Sequence, residues 1–260
     1  MKKIYILQDE EGVSGVINWE TSMSAEESRE ARHLMTQEIN AAVTGAWEGG
    51  AEEVWVRESH RFIPDELHDE VKLIQGTYAL NHSFSAIFMV GQHAMARTGN
   101  AVLCHTYCHT GIREMLLNGE PIGEIGWTAA YAGCFNVPVA LVTGDQAACE
   151  EARHRLGDIE CAIVKEGAGI HSAVNLSPKN ARHLINRKAK AAMARLGEFS
   201  PYRVAKPIEL IIDYYHPQVA ENAMLYPGVE RLDISRIRFV AADFLQVFQF
   251  RSFSALIHGR

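Results

Sequence analysis

A short apolar run, Ile4-Tyr5-Ile6-Leu7, stops at Asp9-Glu10-Glu11 and passes at once into Gly12-Val13-Ser14-Gly15. Strand-forming residues that end in carboxylates and then glycines predict a buried strand whose carboxyl end presents acidic side chains to a loop. Asp9 and Glu11 lie two apart, so on a continuing strand they share one face and Glu10 turns to the other. Such an end suits a metal ion; a solvated acidic loop is the alternative that this stretch alone leaves open.

Later strands repeat the arrangement. Ser24-Ala25-Glu26-Glu27 reads as a capping box, followed by apolar residues at Ala31, Leu34, Met35, Ile39, Ala42, Val43 and Ala46, which predicts a helix closed near Gly49-Gly50. Glu53-Val54-Trp55-Val56-Arg57 returns to strand composition and halts at Glu58-Ser59-His60, and Ala86–Val90 halts at Gly91-Gln92-His93. A β-α-β beginning of this kind predicts a mostly parallel sheet flanked by helices, in which ligands sit beyond the carboxyl ends of the strands. Asp9, His60 and His93 are therefore expected to converge. Glu124 opens a short helix ending near Gly133, preceded by an Asn118-Gly119 hairpin signal.

Strands around Val137–Val142 and Cys161–Val164 and a long helix from Ser177-Pro178 to about Leu196 continue the α/β pattern, with Asp145 expected to cap a helix. From Pro207 on, a strand, a Pro227-Gly228 turn, a second strand and an aromatic-rich closing helix predict a smaller C-terminal α+β portion. The division expected is 1–200 for a metal-binding catalytic domain and 201–260 for that portion. Lys188, Lys190 and Arg195 read as a solvated helix face, and Lys165 as an ordinary surface lysine.

The chain has 260 residues, enough for a substantial core, with 47% hydrophobic and 22% charged residues, a globular composition. The 25 Lys and Arg against 32 Asp and Glu give −7, which leaves no basic footprint for nucleic acid. No run of about 18 apolar residues predicts a membrane span, and a cytoplasmic location is the default expectation. Five scattered cysteines predict free thiols.

Carboxylates mixed with imidazoles favour zinc or a related ion over calcium, which takes oxygen shells. Two ions would need about five or six protein ligands, some shared; Asp9, Glu11, His60, His93 and Glu124 supply five. The ordered set Asp9-Glu10-Glu11-Gly12-Val13-Ser14-Gly15, Glu58-Ser59-His60, Gly91-Gln92-His93-Ala94, His105 and Gly123-Glu124-Ile125-Gly126 resembles the D-aminopeptidase family. The resemblance spans most of the chain. It implies two zinc ions per subunit, held by Asp9, Glu11, His60, His93 and Glu124, with His105 at the catalytic position. It also implies hydrolysis of short peptides bearing an N-terminal D-residue, and a homo-oligomer, a decameric ring.

Two positions depart from the family pattern: Glu10 stands where the family commonly carries a nonpolar residue, and Glu58 where aspartate is usual. Both bear on substrate preference, because an extra carboxylate would attract an amino terminus or repel a substrate carboxylate. Cys104, His105, Cys108 and His109 allow a different reading, a separate structural zinc site. Asp9-x-Glu11, Thr143-Gly144-Asp145 and Lys165 resemble haloacid-dehalogenase-type phosphatases, but the order of lysine and Gly-Asp is reversed and His60 and His93 have no use there. An L-peptide or amide hydrolase, or a metal-dependent peptide-binding protein without turnover, completes the alternatives.

Overall fold

Strand β1 (Lys3–Gln8) is buried along its whole length, and its side chains divide between two cores. Ile4 and Ile6 enter one; Tyr5 and Leu7 enter the other. The alternation follows from the two-residue strand period, and burial on both faces is what a parallel sheet covered by helices requires. The computed structural model describes residues 1–76 and 78–257.

From β1 the chain runs through α1 (Ala25–Glu48), β2 (Glu53–Arg57), β3 (Lys72–Ile74) and β4 (Ala86–Gln92). The Ser24 side chain accepts from the Glu27 amide and Glu27 reciprocates, so the expected capping box forms. A hairpin of β5 (Ile112–Leu117) and β6 (Glu120–Pro121) follows, turned by Asn118 and Gly119, both at positive φ (52° and 84°), which suits a tight hairpin turn. Next come α2 (Glu124–Gly133), β7 (Val139–Asp145), α3 (Gln146–Leu156), β8 (Glu160–Gly169), β9 (Ser172–Asn175) and α4 (Pro178–Ala194). The C-terminal segment adds β10 (Ile208–Tyr214), α5 (Pro217–Ala223), β11 (Val229–Arg231), β12 (Arg236–Ala241) and α6 (Phe244–Ile257).

Seven strands form one sheet in the order β3-β2-β1-β4-β7-β8-β9, parallel except for β9 at the edge. Helices α1 and α4 cover one face, and α2 and α3 the other. Five strands form a second, antiparallel sheet in the order β11-β12-β10-β5-β6, which packs with α2, α5 and α6 around Trp127, Tyr214 and Phe250. The expected fold class, a mostly parallel sheet between helices with a smaller C-terminal α+β portion, is borne out, although β5 and β6 in the second sheet come from well before residue 200. The short elements β3, β9, α5 and β11 left no periodic signal because none exceeds seven residues.

Strand order places β2 on one side of β1 and β4 on the other, so the connections leaving β1 and entering β4 diverge, and the crevice between their carboxyl ends is a topological switch point. Its closeness depends on missing side chains. A Cβ on Gly12 would lie 2.0 Å from the Gln92 carbonyl oxygen, and one on Gly91 2.2 Å from the Asp9 carbonyl oxygen. Gly91 also adopts φ +77°, a conformation L-residues with side chains rarely take. Among the described residues, no helix is long and apolar enough to cross a membrane, and all five cysteines are free thiols.

Candidate metal centre

Backbone bonds lock the loop after β1 against β4. The Asp9 amide donates to the Val90 carbonyl at 2.8 Å and the Gly12 amide to the Gly91 carbonyl at 2.8 Å. On the other side, Ser59 Oγ donates to the Gln8 carbonyl, and Gln8 Nε2 donates to the His60 carbonyl at 2.5 Å. These bonds bring the ends of β1, β2 and β4 to one point, as the strand-end reading anticipated.

The five expected ligands meet there. His60 Nε2 lies 3.1 Å from Asp9 Oδ1 and 3.7 Å from Glu11 Oε2, while His93 Nε2 lies 3.4 Å from Asp9 Oδ2 and 3.3 Å from Glu124 Oε1. Asp9 thus turns one oxygen to each histidine. Glu124 reaches the cluster from the first turn of α2, with its Oε1 fixed by the Tyr107 amide at 2.7 Å. His105 stacks on His93 with ring centres 3.9 Å apart, and its Nε2 lies 3.8 Å from Glu124 Oε1. Both imidazoles are oriented through Nδ1: His93 donates to the Ala94 carbonyl and His105 to the Leu103 carbonyl, each at 2.9 Å. A proton on Nδ1 leaves each Nε2 lone pair facing the cluster, the arrangement a metal-binding histidine needs.

The donor set fits a cation. Asp9 Oδ2, Glu11 Oε2 and His93 Nε2 are buried without a hydrogen-bond partner, and buried charged or polar atoms left in that state are costly. Ligand atoms of Asp9, Glu11 and His93 lie within 4.8 Å of one another, as do those of His93, His105 and Glu124. Mixed nitrogen and carboxylate donors of this kind suit zinc.

Proton affinities in the cluster have the same cause. Burial, reinforced by the neighbouring Glu11 charge, raises Asp9 to about 7. For Glu11 and Glu124 burial also pushes upward, but adjacent histidines outweigh it and hold each at about 2. Burial opposes protonation of His60, yet bonds to Asp9 and Glu10 pull it up to about 12. Burial and the His93 charge together lower His105 to about 4. Concentrated negative charge gathers protons onto His60 and His93, and a bound cation would take their place.

Glu10 differs from expectation. It does not turn to the face opposite Asp9 and Glu11: the chain leaves strand geometry after Gln8, Glu10 is buried, and its Oε2 lies 3.5 Å from Nδ1 of His60, behind the nitrogen that faces Asp9. Lys165 is also no surface residue. It is 1% exposed, and its Nζ donates to the carbonyls of Glu11, Val13 and Val16 at 2.6, 2.9 and 2.6 Å, holding the acidic loop from beneath. Asp145 caps α3 as expected, its Oδ1 accepting from the Ala148 amide, while Oδ2 accepts from the Val102 amide. With Lys165 and Asp145 both committed to backbone groups, neither is free for the phosphatase arrangement. Lys188 and Arg195 are not simply solvated: both bond Glu160.

The alternative zinc site of Cys104, Cys108 and His109 is not assembled among the described residues. Cys104 Sγ donates to the Thr98 carbonyl, Cys108 Sγ lies beside Thr110, and His109 stacks on Trp19 at 4.1 Å. Trp19 also meets His105 edge-on at 5.1 Å, so Trp19 and His109 wall one cleft over the cluster. Tyr78, Arg57 and Arg251 wall another. None of these wall residues carries a local motif; only tertiary placement singles them out.

Comparison with known proteins agrees with the family resemblance. The model for the D-aminopeptidase family matches residues 1–253. A D-aminopeptidase of Bacillus subtilis (strain 168) is 31% identical over 95% of this chain and 94% of its own. Among solved structures, the Zn-dependent D-aminopeptidase DppA from Bacillus subtilis, described as a self-compartmentalizing protease, superposes with a TM-score of 0.90 at 29% identity, covering 97% of this chain and 96% of that one. With the family model matched from the acidic loop into the closing helix, the chain belongs to the D-aminopeptidase family of peptide hydrolases.

Proposed function

We infer that this protein is a dinuclear zinc aminopeptidase that removes an N-terminal D-residue from short peptides. The observation that carries the reading is the division of Asp9, whose Oδ1 faces His60 and whose Oδ2 faces His93. One zinc would be held by Asp9, Glu11 and His60, and a second by Asp9, His93 and Glu124. Zinc supplies Lewis acidity toward the scissile carbonyl and a lowered pKa for water. The chain's own part is to hold that charge in the crevice between the strand ends and to manage protons. His105, kept neutral by burial and by His93, has a free Nε2 beside the cluster and serves as the group that carries a proton to the leaving amine. Trp19 and His109 line one side of the cleft over the cluster.

D-selectivity and a closed assembly are supported by the likeness to the Bacillus subtilis D-aminopeptidase, whose solved structure is described as that of a self-compartmentalizing protease. We carry both over as part of the proposal, the assembly as a decameric ring. Within it, residues 1–200 form the catalytic domain, and residues 201–260 contribute Arg251 to the wall of the substrate cavity.

The test is a hydrolysis panel of matched D- and L-peptides with zinc, manganese and cobalt compared. Release of the N-terminal D-residue with zinc is expected. Release from L-peptides alone would overturn the D-selectivity, and binding without release would make the protein a peptide-binding module.

A further inference from the structure

The cavity on the Tyr78 side encloses about 450 Å³, a volume suited to a small ligand. Asp9, His60 and Glu124 line one part of it, and Arg57 and Arg251 line another. Each guanidinium lies over an aromatic ring: Arg57 Cζ is 4.0 Å from the Tyr78 ring centre, and Arg251 Cζ is 3.7 Å from that of Tyr107. Stacking of this kind fixes the plane of the fork while leaving its N–H edge free.

Neither side chain has found an anion. Arg57 Nε and Arg251 Nε are buried without a hydrogen-bond partner, and among the described residues neither guanidinium pairs with a carboxylate. Glu58, the acid next in sequence to Arg57 and part of the same wall, is engaged by Gln75 Nε2 at 2.7 Å. Arg251 is tied to the metal centre through Tyr107, whose ring it covers and whose amide donates to Glu124. Two cationic forks in one small cavity, in a chain of net charge −7, form a receptor for a carboxylate.

We propose that Arg57 and Arg251 anchor the free C-terminal carboxylate of the substrate, so that the enzyme acts on di- and tripeptides with an unblocked C-terminus. This rests on the reading of the centre as a peptidase site. The scissile carbonyl then lies at the acidic floor and the product amino acid or dipeptide extends toward the arginines. A C-terminal amide, or a longer chain that carries its carboxylate out of the cavity, leaves two half-buried guanidinium groups, each with its Nε buried, without an anion.

The experiment compares D-Ala-D-Ala and D-Ala-Gly-Gly with their C-terminal amides on the zinc-loaded full-length protein. The wild type is expected to favour the acids by roughly 10- to 100-fold in kcat/KM, the range of one or two charge-assisted hydrogen bonds. In Arg57→Met and Arg251→Met, which keep the apolar stem, the acid-to-amide ratio is expected to fall to within about 3-fold. Arg57→Lys and Arg251→Lys serve where a methionine variant does not fold, and they lower the ratio by losing the fork. Equal turnover of acid and amide by the wild type, or a ratio unchanged in the variants, would overturn the anchor and leave the peptidase reading standing. If no peptide is hydrolysed, the peptidase reading fails, and calorimetric binding of D-Ala-D-Ala against its amide still decides the anchor: selective binding of the acid, lost in the variants, supports it, and equal binding sinks it.

Discussion

Lys165 Nζ donates to the Glu11 carbonyl at 2.6 Å, although 154 residues separate the two in sequence. With its further bonds to Val13 and Val16, one buried ammonium from β8 fixes the backbone of the loop that presents Asp9 and Glu11. The placement of these two carboxylates therefore depends on a strand at the other side of the sheet. Burial lowers Lys165 to about 8, with Asp145, Glu38 and the ligand carboxylates opposing that fall. Lys165→Met removes three charge-assisted bonds, and three carbonyls lose their donor. A stability loss of about 3 kcal/mol or more is expected from urea unfolding, with a parallel loss of bound zinc. Unchanged zinc affinity would show that the loop holds its shape without the lysine.

Glu38 makes stability fall with pH. Its Oε1 accepts from the Ser14 amide at 3.0 Å, Oε2 has no partner, and burial raises the group from 4.5 to about 7 against the pull of that bond and of Lys165 and Arg182. Between pH 4.5 and 7 the native state holds a proton that the unfolded chain has already lost. Stability therefore declines through that window, and the full cost, about 3 kcal/mol, applies above pH 7. Glu38→Gln keeps an acceptor for Ser14 and carries no charge. The variant should match the wild type near pH 4.5 and exceed it by up to about 3 kcal/mol at pH 8, measured as the difference between urea midpoints. Parallel curves across this range would show that Glu38 is ionised at no cost.

Glu10 acts on the centre through His60. Were Nε2 of His60 to hold a metal, its Nδ1 proton would point at the Glu10 carboxylate 3.5 Å away, the arrangement of a carboxylate–histidine–metal relay. Glu10→Leu is expected to weaken zinc binding by about 10- to 100-fold in a chelator competition, the usual effect of losing such a partner. Affinity within about 2-fold of wild type would leave Glu10 as a charge outside the relay.

The strand ends were legible in the sequence because each one couples a simple apolar run to an abrupt polar stop. Asp9, His60, His93 and Glu124 follow β1, β2 and β4 or open α2, and parallel topology alone brings such ends together. Asp145 was legible as a cap for a similar local reason. Lys165 was not, since a lysine after Cys161–Val164 looks like any strand ending at the surface. Its burial follows from β8 continuing to Gly169 and pairing with β9, a contact no local pattern encodes. Strand geometry ends at Gln8, two residues before Glu10, so the alternation that sets Glu10 opposite Asp9 and Glu11 does not reach it. Arg57 and Arg251 lie 194 positions apart and reach one cavity only because α6, packed against α2 and the second sheet, carries Arg251 to the end of β2.

The central claim is a pair of zinc ions sharing Asp9. Zinc per chain, measured by elemental analysis after equilibrium dialysis, tests it most directly. The wild type is predicted to hold two ions, Asp9→Asn to lose both from tight binding, and His60→Ala to keep the one held by His93 and Glu124. One ion in the wild type, or two in Asp9→Asn, would contradict the account.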